Sequence, residues 1–232
     1  MTEDLAGQSS AIRSIKWNGV DISLSTHLGS GLTADVYKVV INDRSYAVKI
    51  LKPGSSSAIK SYFLSEVTNL KMVWKEWFNQ YPGLAHLTPE LLGADTEGES
   101  PFIIMELIEG KTIEEDIRTN GPYSENIALN LMSQFGKLLV CLHSHLNKVY
   151  SDIKFDNFWK LEELSAEGYP QLKITDWNVL NDLSEEGKHR DLFFSTLVFF
   201  RFLTGTALPY SRGQITVKLE DTDKFNYLSF GT

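Results

Sequence analysis

The chain has 232 residues, 42% of them hydrophobic and 12% aromatic, enough for one sizeable core or two small lobes. Its net charge of −8, from 30 acidic against 22 basic residues, argues against a generic nucleic-acid or anionic-membrane surface. The single cysteine, Cys141, excludes an intrachain disulfide, and no apolar run reaches the ~18 residues of a membrane-spanning helix. Met-Thr-Glu-Asp opens the chain with no apolar run behind it, so no signal peptide is expected. A reducing compartment, the cytoplasm, is the expected location.

Residues 1–20 read as a polar leader, in which Ile12, Ile15 and Trp17 can pack on something. Short strands are then expected at 21–28, at 36–41 after Gly29-Ser30-Gly31, and at 46–51 after an Asn42-Asp43 turn. Pro53-Gly54 and three serines end this block. A long helix follows over about 58–80, with Ile59, Phe63, Val67, Leu70, Trp74 and Trp77 as its buried stripe. Two more strands fit 90–94 and 102–107. After Gly110 the pattern turns helical: a short helix at 112–119, then one at 125–146 with Ser124 as its N-cap. Strands at 158–161 and 171–175 flank an acidic insertion read as surface, and 191–203 is a strongly apolar helix. From Thr206 onward the sequence is irregular and polar. The plan is α+β: a β-rich first half with one long helix, then an α-rich second half, divided near residues 108–110.

Four stretches carry chemistry. Gly29-Ser30-Gly31 joins two strands, and a glycine-rich hairpin lets backbone approach phosphates without Cβ hindrance. Lys49 ends the apolar run Tyr46-Ala47-Val48, where an ammonium needs a counter-charge. At 100° per residue Glu66 falls among Phe63, Val67 and Leu70 on the apolar face of the long helix, and can supply that charge. Glu76 falls on the outer face. In residues 149–158, Asp152, Lys154 and Asn157 offer a proton acceptor, an ammonium for a transferring phosphoryl group and a hard-cation ligand. Asp176 ends the buried strand that Leu172-Lys173-Ile174-Thr175 begins. Cys141 reads as a small core residue. His143 and His145, two apart on a helix, do not form a metal site. Trp74 and Trp77 read as core or interface, and Asp182, Glu185 and Glu186 as a solvated loop.

Set side by side, these stretches resemble the protein kinase family, of Ser/Thr type, over about residues 21–210. Gly29, Gly31 and Val36 match the glycine-rich loop, with Ala34 in place of its third glycine. Lys49 and Glu66 match the strand lysine and its helix partner. Met105-Glu106-Leu107-Ile108 resembles the hinge between lobes. Tyr150-Ser151-Asp152 stands where the family has His-Arg-Asp, and Asp176-Trp177-Asn178 where it has Asp-Phe-Gly. The resemblance implies a bilobal fold: leader 1–20, N-lobe 21–108, short C-lobe 109–232.

It also implies ATP and Mg²⁺ (or Mn²⁺) as cofactors. Gly29, Ser30, Gly31, Val36, Ala47, Lys49, Glu66, Met105, Glu106 and Ile108 would bind nucleotide, and Asn157 with Asp176 would hold the metal. Asp152 and Lys154 would be catalytic, moving the γ-phosphate to a protein or small-molecule hydroxyl. No nucleic-acid or membrane partner is expected. The interval from Asp176 to Asp191 is short and no Ala-Pro-Glu occurs. Hence two alternatives stand: a pseudokinase acting as an ATP-binding or scaffolding module, and a kinase for a small molecule or one dedicated partner. A further partner can cover the short C-lobe. Ser151 replaces the arginine that reads a phosphorylated activation loop, so that switch is expected to be missing.

Overall fold

The computed structural model describes residues 14–206, apart from the side chains of residues 75–80 and 82. A five-stranded antiparallel sheet dominates the first half. Its strands are β3 (Thr26–Ser30), β4 (Ala34–Ile41), β5 (Arg44–Leu51), β6 (Leu91–Asp95) and β7 (Phe102–Glu106), in the order β3-β4-β5-β7-β6. Side chains alternate faces along a strand, and β5 uses the alternation fully. Val48 and Ile50 join the outer core with Val39, Phe102 and Ile104. Ala47 and Leu51 join the inner core with Phe63, Val67 and Met105. Lys49 shares the inner parity, so its ammonium is delivered to that side.

Helix α1 (Ser57–Gln80) covers the inner face, as its apolar stripe demands. Phe63, Val67 and Leu70 are buried, and Trp74 packs against the core while its indole donates to Pro89 O at 2.8 Å. Trp77 and Glu76 lie outside the described side chains. The outer face is capped by a hairpin of β1 (Ser14–Trp17) and β2 (Val20–Ser23), with Ile15 and Ile22 buried. Strand therefore begins at Ser14, inside the stretch expected to be a leader. Asn18 and Gly19 turn it with φ of 51° and 80°, the left-handed pair such a two-residue turn needs. The single strand expected at 21–28 is two, β2 and β3, because the chain crosses from hairpin to sheet between them. Ser25 marks the crossing, both its N–H and its hydroxyl donating to Lys38 O.

The second half is built on α2 (Ile113–Asn120), α3 (Glu125–Ser144) and α4 (Glu185–Thr204). Thr112 caps α2 by accepting from Glu115 N. The core joins Leu131, Phe135, Leu138 and Leu142 of α3 to Val198 and Phe202 of α4. Leu70 and Val73 of α1 enter the same core, so one helix serves both halves. Three short strands, β8 (Gly110–Thr112), β10 (Phe158–Leu164) and β11 (Pro170–Ile174), form a sheet in the order β11-β10-β8. Its centre strand reaches into the acidic segment expected to be a surface insertion. β9 (Lys148–Val149) pairs with β12 (Asn181–Asp182). Helix α4 starts six residues before the expected Asp191. Ser184 caps it by accepting from Gly187 N, and Glu185 and Glu186 sit in its first turn, where acidic side chains favour the positive end. They are exposed, as expected, but helical. Residues 207–232, expected to be irregular, lie outside the described residues.

Gly110 is needed where the halves meet. A Cβ there would collide with the Lys160 carbonyl on β10 and lie 3.1 Å from Leu161 Cα. Both obstacles are backbone. Gly110→Ala is expected to cost about 1–3 kcal/mol in denaturant unfolding, and an unchanged midpoint would refute the close approach.

Candidate active site

The cleft between the two halves collects the residues singled out from the sequence. β3 and β4 meet in register at Gly29–Val36 and Ser30–Asp35, so the turn is confined to residues 31–33. Gly31 N donates to Ala34 O at 2.9 Å, and Lys52 Nζ donates to Gly31 O at 2.6 Å. Leu32, at the tip, is 90% exposed. The hairpin tip is thus exposed, with its turn tied to Lys52 just past the end of β5. Val36 pairs with Lys49, and Ala47 with Met105, which puts Val36, Ala47 and Met105 together at the apolar inner face. The chain leaves β7 at Glu106 and crosses to β8 through Leu107 and Ile108.

Glu106 also ties the halves together. Its Oε2 accepts from Glu90 N at 3.1 Å, and its Oε1 pairs with Lys173 on β11. The Lys173 side chain is almost wholly buried. The sequence does not point to this tie, because the pair is far apart in the chain and each residue sits in an ordinary strand.

Lys49 is the electrostatic centre. Its Nζ donates to Glu66 Oε2 at 2.7 Å and to Asp176 Oδ1 at 2.8 Å. Burial alone would lower its pKa, but the two carboxylates hold it above the ordinary lysine range. Glu66 is 2% exposed, and burial raises it above the usual glutamate value against the pull of Lys49. Asp176 is pushed up by burial but held below the usual aspartate value by Lys49 and then Lys154. It stays ionised between two ammoniums.

The loop that carries Asp152 hangs from Asp191 of α4. Asp191 Oδ2 accepts from Tyr150 N at 2.9 Å and from His143 Nε2 at 2.9 Å, and Oδ1 accepts from Ser151 N at 3.0 Å. These bonds hold Ser151 at φ 63°, in the left-handed region that a side chain adopts only when its surroundings enforce it. Tyr150 is fully buried, its hydroxyl donating to Thr175 O at 2.6 Å, and burial drives its pKa well up. Lys154 Nζ donates to Asp152 Oδ2 at 2.9 Å and lies 3.6 Å from Asp176. Asn157 Nδ2 donates to both Asp152 O and Asp152 Oδ2 at 3.0 Å. Its amide nitrogen is committed there, so its oxygen is the atom it can offer a cation. All three residues of the Asp-x-Lys-x-x-Asn spacing therefore converge with Lys49, Glu66 and Asp176.

Asp191 escaped the sequence reading as a site residue. The available signal was a carboxylate opening a strongly apolar stretch. His143 belongs to the same group, as a partner of Asp191 and not as a metal ligand. Ser151, in the place of an arginine, accepts from Asn181 Nδ2 at 3.0 Å, and Lys148 pairs with Asp182 beside it. The short segment between Asp176 and α4 is thus pinned to the loop by β9–β12 pairing, one neutral hydrogen bond and one ion pair.

Hard oxygen ligands suit Mg²⁺ or Mn²⁺, and Mg²⁺ is characteristically held by one or two carboxylates together with substrate phosphates. An ionised Asp176 and the Asn157 side-chain oxygen are donors of that kind. Among the described residues no group of three or more His, Cys, Asp and Glu gathers into a self-sufficient metal site.

Residues 22–201 match the model of the family described as protein kinase domain. The chain is 28% identical over 162 residues to serine/threonine-protein kinase PrkC of Bacillus subtilis, covering 68% of this chain and 22% of that protein. It is 27% identical over 180 residues to serine/threonine-protein kinases PknA of Corynebacterium glutamicum, covering 76% of this chain and 35% of that one. Probable serine/threonine-protein kinase PknB of Lactococcus lactis is 26% identical over 165 residues, covering 68% and 23%. The chain thus spans about a fifth to a third of the length of these relatives. No helix among the described residues is long and apolar enough to cross a membrane.

Proposed function

The chain belongs to the protein kinase family, and from that premise we propose that it transfers the γ-phosphate of Mg-ATP to a hydroxyl. The observation that carries this reading is the Lys49 ammonium held between Glu66 and Asp176, with Asp152 and Lys154 beside it. Adenine sits against Val36, Ala47 and Met105, with the backbones of Glu106 and Ile108 as its hydrogen-bonding edge. Gly29, Ser30 and Gly31 lie over the phosphates. Lys49, oriented by Glu66, binds the α- and β-phosphates. Asp176 and the Asn157 oxygen hold Mg²⁺, or Mn²⁺, which when bound neutralises charge on the phosphate oxygens.

Asp152 orients the acceptor hydroxyl and takes its proton as the acceptor oxygen bonds to the γ-phosphorus. The bond from that phosphorus to the β-bridging oxygen breaks, and ADP leaves. Lys154 offsets charge on the group in flight. Its position favours Ser/Thr-type chemistry. The acceptor is better read as a small molecule or one dedicated protein than as a general peptide. Only residues 177–184 separate Asp176 from α4, and two of them, Asn181 and Asp182, are occupied in pairing with β9.

Mg-ATP at 100-fold over its Kd is expected to add about 2.7 kcal/mol of stability. Incubation with γ-labelled ATP, alone and with a lysate, is expected to label one protein or one small molecule. No thermal shift would sink the nucleotide reading. A shift without label anywhere would leave an ATP-binding pseudokinase.

A further inference from the structure

Lys52 is mounted firmly beside the β3–β4 turn. Its N–H donates to Thr33 O at 3.0 Å, and its carbonyl accepts from Ser55 N at 3.3 Å and Ser55 Oγ at 2.7 Å. From that base Nζ donates to Gly31 O at 2.6 Å. Asp35 Oδ1 lies 3.9 Å from the same ammonium and 4.0 Å from His27 Nε2. Ala34 and Val36 belong to the inner core, so Asp35 between them faces outward, opposite Ile50 of the outer core. Lys52 therefore grips the turn from the outer face, whereas Lys49 is delivered to the inner one.

The grip has a consequence on the other side. A peptide group is planar and trans, so its C=O and N–H point opposite ways. Drawing Gly31 O outward aims the Leu32 N–H inward, toward the cleft. Gly31 N–H is already spent on Ala34 O at 2.9 Å. Leu32 N and Thr33 N donate to no partner among the described residues. The glycines of the hairpin fit the same picture. Neither Gly29 nor Gly31 has a positive φ. A Cβ on Gly29 would meet nothing within 4 Å, and one on Gly31 only Ala34 O at 3.7 Å. Glycine costs conformational entropy, and neither the backbone nor the packing here requires it. The bare surface suits a group that comes from outside the chain.

We propose that Lys52 is a positioning residue: acting from the outer face through Gly31 O, it aims the Leu32 N–H at the terminal phosphates of a bound nucleotide. This inference rests on the phosphotransferase reading above for its ligand. The site then has two ammoniums with different work. Lys49 meets phosphate directly. Lys52 is spent on a carbonyl and acts only through the peptide it holds, with Asp35 keeping its ammonium over the turn. A ligand without phosphates does not sense it.

The test uses the full chain labelled with ¹⁵N-glycine and ¹⁵N-leucine, the two amide signals being assigned from their loss in Gly31→Ala and Leu32→Ile. In the unsubstituted chain Mg-ATP is expected to shift the Leu32 amide and adenosine to leave it in place. Lys52→Met is expected to speed exchange of the Gly31 amide about five-fold in the free protein, the factor of one hydrogen bond, and to raise the Kd of Mg-ATP by a similar factor. Adenosine is expected to bind this variant as before. Lys52→Arg keeps a cationic donor and is expected to restore both properties. Unchanged Mg-ATP affinity in Lys52→Met would overturn the proposal and spare the nucleotide reading. So would equal weakening of Mg-ATP and adenosine, which marks a general loosening. Weaker Mg-ATP with an unmoved Gly31 amide would also overturn it, because Lys52 would then act as a bare charge. An unsubstituted chain that binds no Mg-ATP would overturn the nucleotide reading and this proposal together.

Discussion

Asp152→Asn is expected to cut phosphoryl transfer by about 10²–10⁴-fold while leaving the Mg-ATP thermal shift in place. The geometry separates the two effects. Asp152 Oδ2 accepts from Lys154 and Asn157, and its backbone carbonyl accepts from Asn157 as well. An asparagine oxygen can still accept one of the side-chain bonds, and the backbone bond is untouched. The loop hangs from Asp191 through the N–H groups of Tyr150 and Ser151, which the substitution does not reach. What is lost is the group that can take a proton. The nucleotide contacts proposed above would come instead from the hairpin, β5 and the hinge. Label incorporation and thermal shift, measured on the same preparation, check both halves. Transfer that survives unchanged would refute the assignment of Asp152 as base, and a vanished shift would mean that the loop had collapsed.

The charged cluster was legible in the sequence because it stands out against its background. An ammonium in the apolar strand 46–51 and a carboxylate on the apolar face of the helix over 57–80 each need a reason, and the reason turned out to be the other. Asp176 was found the same way, at the end of a buried strand. The sites missed are those that look ordinary. Ser65 and Asn69 are polar residues on a half-exposed helix, and only the Asn178 and Trp177 carbonyls beneath them, at 3.0 and 2.7 Å, make them donors with targets. Lys173 is a lysine in a strand until Glu106 is seen beside it. The β1–β2 hairpin was lost for another reason. Asn18-Gly19 between short apolar runs is a strong hairpin signal, but the polar residues before it drew the whole stretch into a leader. The start of α4 was misplaced because the apolar period begins late, whereas Ser184, Glu185 and Glu186 carry the cap chemistry.

Lys49→Met is expected to be the most destabilising single change at the site, and Lys49→Met with Glu66→Leu to recover most of the loss. Removing one member of a buried pair leaves an uncompensated charge and costs about 3–5 kcal/mol, whereas a well-packed apolar pair is often neutral or better. The two single variants are not equivalent here. Without Glu66, Lys49 keeps Asp176 at 2.8 Å. Without Lys49, Glu66 is left 2% exposed with no ion-pair partner among the described residues, and Asp176 keeps only Lys154 at 3.6 Å.

The deficit of Lys49→Met also carries a pH signature. Burial already raises Glu66 above its ordinary 4.5, and loss of Lys49 raises it further. A raised carboxylate favours the folded state while it is protonated. The penalty is therefore smallest below about pH 4.5 and grows as pH rises through the folded-state value. Denaturant unfolding across that range measures it, and a penalty independent of pH would refute the buried unpaired carboxylate. The double variant isolates purpose from stability. It is expected to unfold near the midpoint of the unsubstituted chain and yet show no stabilisation by Mg-ATP. If it bound nucleotide as before, the pair would be part of the core alone, and the phosphate contact assigned to Lys49 would be wrong.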